Sequence, residues 1–206
     1  MAEFTLYTYT FLSRAERVLW CLDELGLSYE LKKLDPMKGD IFTPEFTRLN
    51  PMRKVPVLIH HLPDGKERVL IESIPILEYL NNYAKGHLKP AAIEECYAYD
   101  KAMFFGATEL ESYLWVANQS TILRGIYHWP LRSEKEALRQ VKRAMPEVFK
   151  WLSHQNYIAG NAFTLADIYY YQLIKWAIRF GVDAPVYVER YLQRLEQRPA
   201  FPAGWR

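Results

Sequence analysis

The sequence predicts an α/β domain with a four-stranded mixed sheet, followed by an all-helical domain. Three features carry this reading: a strand, helix, strand run between residues 3 and 34, a hairpin turn at Pro63-Asp64-Gly65, and the loss of β-branched runs after Ala91. Residues 3 to 10 set Phe4, Leu6 and Thr8 against Thr5, Tyr7 and Tyr9, the period of a strand with two differently packed faces. From Ala15 to Leu25 the period becomes helical, with Val18, Leu19, Leu22 and Leu25 on one side and Gly26 as the stop. Ser28 to Leu34 reads as a second strand, which makes a parallel, right-handed β-α-β unit. Residues 35 to 50 mix Pro36, Gly39, Pro44 and charges with Ile41 and Phe46, as a loop with a short irregular helix does. Val55 to His60 and Lys66 to Ile71 flank the Pro63-Asp64-Gly65 turn as an antiparallel hairpin. Ser73 can then cap a helix containing Ile74, Ile76, Leu77 and Leu80, with Pro75 tolerated in its first turn.

The first domain therefore covers residues 1–85, Gly86 to Pro90 form a linker, and the second domain covers 91–206. There, apolar residues recur every three or four positions, which predicts helices over about 91 to 119, 133 to 154, 165 to 180 and 186 to 197. Pro146 removes one helical hydrogen bond and crowds the preceding turn, so a kink or a break is expected at that point.

Composition excludes several functions. The formal net charge is only +2, so neither domain presents the one-sided basic field of a nucleic-acid grip. Glu3, Arg14, Glu16 and Arg17 interrupt the first twenty residues, which argues against a signal peptide, and no stretch approaches the roughly 18 to 20 uncharged residues of a membrane span. Two cysteines, Cys21 and Cys96, are too few for a disulfide framework, and the expected setting is the reducing cytoplasm. Cys21 falls on the apolar helical face and reads as a small buried hydrophobe. His60 and His61 are neighbours in a strand and point to opposite faces; no metal site, phosphate loop or Gly-x-Ser-x-Gly elbow is apparent, and no metal or resident cofactor is expected.

Several separated motifs together resemble the glutathione transferase superfamily, which implies a thioredoxin-like first domain. Asn50-Pro51-Met52-Arg53-Lys54-Val55-Pro56-Val57-Leu58 is similar to that family's Asn-Pro-x-Gly-x-Val-Pro-x-Leu segment, with Arg53 replacing the glycine. Glycine reaches positive φ without penalty and arginine does not, so this exchange bears on the backbone of the loop. The resemblance implies a cis bond before Pro56 that turns the N–H and C=O of Val55 toward the cysteinyl part of glutathione. It also implies that Glu72 and Ser73 hold the γ-glutamyl end, and it places Lys54 and Arg14 in the binding set. The physics is consistent with these roles: a hydroxyl and free N–H groups at a helix start receive a carboxylate, and a glutamate accepts hydrogen bonds from an ammonium group. Alone, a serine before a helix is only a cap.

The turn Phe11-Leu12-Ser13-Arg14-Ala15-Glu16-Arg17-Val18 resembles the Ser-x-x-x-Arg-Val pattern of serine-type bacterial and theta-like members, which implies that Ser13 is catalytic. Its hydroxyl would donate to the glutathione sulfur and favour thiolate over thiol. Ser13 also reads as an N-cap, with Glu16 completing a capping box, and Tyr7 and Tyr9 compete for the catalytic role. Thr164-Leu165-Ala166-Asp167 resembles the family's Ser/Thr-x-x-Asp motif, whose role is structural capping. The helical half is rich in aromatics, among them Tyr97, Phe104, Tyr127, Trp129 and Tyr169 to Tyr171, most of them expected in the core. The resemblance further implies a homodimer, glutathione as co-substrate and, as its partner, a small apolar electrophile in a pocket to which the all-helical domain 91–206 contributes. Two rivals stand beside the transferase: a glutathione-dependent disulfide or peroxide reductase, and a non-catalytic glutathione-binding scaffold.

Overall fold

Alternation along the first strand is matched by burial on both of its sides. The computed structural model describes residues 2–121 and 131–205. It divides into one unit of Met1–His87 with Arg198–Arg206 and a second unit of Leu88–Gln197. The sequence boundaries at 85 and 91 differ from this partition mainly in the return of residues 198–206 to the first unit.

In the first unit, β1 (Phe4–Tyr9), β2 (Tyr29–Leu34), β3 (Val57–His61) and β4 (Glu67–Ile71) form one sheet in the order β2-β1-β3-β4. β1 runs parallel to β2 and antiparallel to β3, and β3 pairs antiparallel with β4, the predicted mixed sheet. The two central strands are buried, whereas β2 and β4 show Lys32, Lys33, Glu67 and Arg68 to solvent, charges that discourage edge-to-edge pairing. One face carries Tyr7, Val57 and Ile59 against Phe46 of α2 (Pro44–Leu49), with Tyr9 and Leu34 partly buried beside them. Leu6 and Leu58, of opposite parity, are fully buried on the other face, as are Val18 and Leu22 of α1 (Ala15–Glu24) and Ile76, Leu77 and Leu80 of α3 (Ser73–Tyr83). Each such side chain contributes about 1.5 to 3 kcal/mol on leaving water. Cys21 is completely buried among them and burial pushes its thiol pKa far up, so it behaves as the small hydrophobe expected.

The closing segment belongs to the same unit. Arg198 donates two hydrogen bonds to Glu24 at 2.6 and 2.8 Å, and Glu24 also accepts from the Trp20 indole at 2.9 Å. Phe201 and Trp205 then meet the edge of the fully buried Trp20 ring, with centroids at 5.1 and 5.7 Å.

The second unit contains α4 (Ile93–Phe105), a π-helical turn (Gly106–Glu111), α5 (Ser112–Ser120), α6 (Leu131–Leu152), α7 (Leu165–Arg179) and α8 (Val186–Glu196). The helix expected over 91 to 119 is thus interrupted by π geometry. At that point Gly106 is buried against α7, where a Cβ would stand 2.5 Å from the Tyr169 ring. Thr108 and Ser112 also turn their hydroxyls back onto the carbonyls of Phe104 and Thr108, at 3.1 and 2.7 Å, a habit that bends helices. α6 runs through Pro146 without the break considered above, because Pro146 and Lys142 are both exposed and the orphaned Lys142 carbonyl can turn to water. α7 is buried nearly all round; Tyr169, Tyr170 and Tyr171 are core, as expected, while Tyr97 and Phe104 are exposed. Tyr127 and Trp129 lie outside the described residues.

Candidate functional site

Three segments of the first unit carry the residues singled out in the sequence. The turn from β1 to α1 holds Ser13, whose hydroxyl accepts from the Ala15 N–H at 3.1 Å. Glu16 accepts from the Ser13 N–H, but the Ser13 hydroxyl takes the Ala15 N–H and not that of Glu16, so the capping box expected between these two residues forms only in its return half and Ser13 is not the N-cap. Arg14 occupies the N-cap position with near-helical angles, φ −70° and ψ −12°. Burial raises the Glu16 pKa above the usual carboxylate range, against the opposing hydrogen bonds from Ser13 and the charge of Arg17. The rival phenols lie on the α2 face of the sheet: Tyr7 is only 6% exposed and its oxygen accepts from Lys32 Nζ at 3.3 Å, while Tyr9 packs on Phe11 with centroids 5.1 Å apart.

The second segment enters β3. The peptide between Val55 and Pro56 is cis, and Val55 precedes the β1–β3 register, whose last pair is Tyr7 with Val57. Asn50 organises the loop before it: its side chain donates to the Lys54 carbonyl at 2.8 Å and accepts from the Met52 N–H at 3.0 Å, and its carbonyl accepts from the Arg53 N–H at 2.8 Å. This tight loop drives Arg53 to φ 54°, the left-handed region that glycine would enter freely.

The third segment starts α3. Glu72, not Ser73, is the N-cap residue, at φ 68° and ψ 121°, and it is exposed; Ser73 is the first helical residue. The expectation that Ser73 caps this helix is therefore displaced by one position, because the positive φ of Glu72 turns the chain a residue earlier. The Ser73 hydroxyl instead accepts from Arg17 Nη1 at 3.2 Å. Arg17 is completely buried, and it joins the helix that follows Ser13 to the helix start that follows Glu72. Sequence reasoning did not single out Arg17 for this role; the visible sign was a cation placed beside Val18 on an otherwise apolar helical face.

Beside the Ser13 turn lies a cavity of about 400 Å³ whose walls include Thr8, Tyr9, Phe11, Leu12, Glu16 and Lys33, with Pro202 and Gly204 of the closing segment. Phe11 and Leu12 are 49% and 58% exposed at its mouth. The two histidines diverge as expected, His60 meeting the Tyr79 hydroxyl at 2.7 Å and His61 meeting Thr5 at 2.8 Å. Among the described residues no group of three or more His, Cys, Asp or Glu side chains could hold a metal ion.

A thioredoxin-like α/β unit with a cis-proline ahead of its third strand, followed by an all-helical unit, defines a known class of two-part proteins. The chain belongs to the glutathione S-transferase family. Residues 2–82 match the family's N-terminal domain and residues 117–199 its C-terminal domain. It is 31% identical over 185 residues to a zeta-class glutathione S-transferase of Euphorbia esula, covering 86% of this chain and 78% of that one. It is 28% identical to the Escherichia coli disulfide-bond oxidoreductase YfcG, over 87% of this chain and 84% of that one. Among solved structures, a glutathione transferase family member from Pseudomonas fluorescens with two glutathione bound superposes with a TM-score of 0.85 at 25% identity, covering 98% of this chain and 92% of that chain.

Proposed function

We propose that the protein is a cytoplasmic, homodimeric glutathione transferase that joins the glutathione thiolate to a small apolar electrophile. The observation that carries this reading is the hydrogen bond from Arg17 to Ser73, which couples the Ser13 turn to the helix start suited to the γ-glutamyl carboxylate. Ser73 offers its hydroxyl and N–H to that carboxylate, Glu72 accepts from the ligand's ammonium group, and Lys54 and Arg14 add positive charge for an anionic tripeptide. Val55 and Pro56 present backbone to the cysteinyl residue, whose sulfur lies against Ser13.

The chemistry asked of the protein is modest. Lowering a thiol pKa of 8.5 by about two units takes roughly 2.7 kcal/mol, within reach of one charge-assisted hydrogen bond and a helix start. Ser13→Ala should leave glutathione affinity by calorimetry nearly unchanged and lower chlorodinitrobenzene conjugation at least about tenfold. Undiminished turnover would move the role to Tyr7 or Tyr9, and absence of any binding heat in the intact protein would reject the whole proposal.

A second reading, glutathione-dependent disulfide reduction, is favoured by the similarity to the E. coli oxidoreductase. Measuring hydroxyethyl disulfide reduction beside chlorodinitrobenzene conjugation separates the two: a reductase turns over only the former.

A further inference from the structure

The cavity beside the Ser13 turn is lined by none of the residues proposed to hold glutathione. It lies toward the β2 edge of the sheet, with β1 between it and the strand that follows the cis bond. Two registered pairs of the parallel strands form its floor, Leu6 beside Leu31 and Thr8 beside Lys33, so the floor passes from apolar to polar along the strand direction. Ala15 and Leu19, one turn apart on α1, add an apolar wall. The closing segment meets the rim at Gly204, where a Cβ would stand 3.8 Å from Leu12. At the polar end Thr8 is only 7% exposed, yet its hydroxyl makes a long 3.4 Å bond to the Tyr9 carbonyl and, among the described residues, accepts none. Lys33 beside it has no ion-pair partner among the described residues. The one carboxylate on the walls, Glu16, already receives the Ser13 N–H.

We propose that this cavity is a second small-molecule site, which takes a flat apolar carboxylic acid and sets its carboxylate between Lys33 and Thr8. About 400 Å³ is within the range of small-ligand sites and accommodates a bicyclic aromatic body. That body covers Leu6, Leu19 and Leu31; Leu31 is 38% exposed, an apolar side chain open to water between Glu30 and Lys32 on an edge strand. The head group completes what the strand pair leaves open. The Thr8 hydroxyl turns from its long bond to donate to one carboxylate oxygen, and Lys33 Nζ donates to the other. Tyr9, Glu16 and Lys33 are the titratable groups on the walls, and only Lys33 brings positive charge. An ammonium head would be repelled by Lys33, and the Glu16 carboxylate that would receive it is engaged by the Ser13 backbone. This site stands without the glutathione reading, because the two share no binding residue and adjoin only through the turn that carries Leu12, Ser13 and Ala15.

The test is calorimetric titration of the full chain at neutral pH with 2-naphthoate and two look-alikes, the neutral 2-naphthamide and the cationic 2-naphthylmethylamine. Naphthoate should bind saturably, and the amide and amine at least about tenfold more weakly. Lys33→Met, which keeps an unbranched stem, should weaken naphthoate about tenfold and leave the amide unchanged, while Lys33→Arg should retain binding. Leu31→Trp should fill the floor and abolish binding of all three, with the fold checked by circular dichroism and Tm. Absence of saturable naphthoate binding by the wild type overturns the proposal, as does a Lys33→Met protein that binds as tightly as the wild type. Tighter binding of the amine would assign the cavity to cations at Glu16 and overturn it equally. Saturating glutathione should leave naphthoate affinity within about twofold; competition between them would put the acid in the glutathione groove and remove the second site. A protein that takes naphthoate but gives no heat with glutathione would lose the transferase reading and keep this one.

Discussion

Arg53 shows what a single side chain costs when the backbone around it is fixed by something else. The loop from Asn50 to Lys54 is held by three hydrogen bonds to Asn50, and the conformation they impose puts Arg53 at φ 54°. A non-glycine residue in this region loses about 1 to 2 kcal/mol against its preferred conformations. Its guanidinium recovers part of that over the Phe42 ring, 5.3 Å from the centroid. Arg53→Gly should therefore raise stability by up to about 1 kcal/mol, seen as a rise of a few degrees in Tm with glutathione binding unchanged; a fall in Tm would mean that the ring contact outweighs the strain. This position was legible in advance, because Arg53 departs from a glycine that the pattern expects. The helix start near Ser73 was legible but its position one residue earlier was not, since nothing in a Glu-Ser pair announces that the glutamate adopts positive φ. The partnership of Arg17 with Ser73 was not legible at all, because it joins two residues 56 positions apart.

Among the elements, α7 depends on its first turn. Asp167 is fully buried and accepts four hydrogen bonds: from the N–H and hydroxyl of Thr164 at 2.8 and 3.1 Å, from the Ile158 N–H at 2.9 Å, and from the Tyr191 hydroxyl at 3.0 Å. The capping box was evident from the Thr-x-x-Asp spacing, while the ties to Ile158 and Tyr191 required the fold. Desolvation outweighs those four bonds and pushes the Asp167 pKa up to about 6. The folded protein thus binds this proton more tightly than the unfolded chain, whose carboxyl titrates near 3.8. The associated stability is complete below that lower value and is lost as pH rises through about 6, a difference of roughly 3 kcal/mol. Asp167→Asn should cost least near neutral pH and progressively more toward about pH 4 by thermal unfolding. A penalty that grows with rising pH would show that the buried group prefers its charge. Elsewhere, helical periodicity located α6 and α8 to within two or three residues, but it could not foresee the π turn at Gly106, which answers to an aromatic ring on another helix.

For the whole molecule, the order of elements was readable because each half keeps one period: alternation and turns in the first, three-to-four spacing in the second. Assembly is the property least visible in that pattern. α4 exposes Ile93, Tyr97 and Phe104 at 77%, 70% and 73%, and their spacing sets them on one helical face. A surface of this kind fits the proposed homodimer, and light scattering should return twice the 24.3 kDa mass of the chain. Tyr97→Glu should shift that mass toward a single chain; a wild-type mass of one chain would remove the dimer from the proposal.

The aromatic closure around Trp20 has a consequence for biosynthesis. By the time a ribosome has made residue 87, every strand of the sheet exists, yet the partners of Trp20 and Glu24 are still 111 or more residues from being translated. The first unit to emerge is thus the last to be finished, and its exposed indole must wait until the intervening helices have left the exit tunnel before Phe201 and Trp205 can cover it.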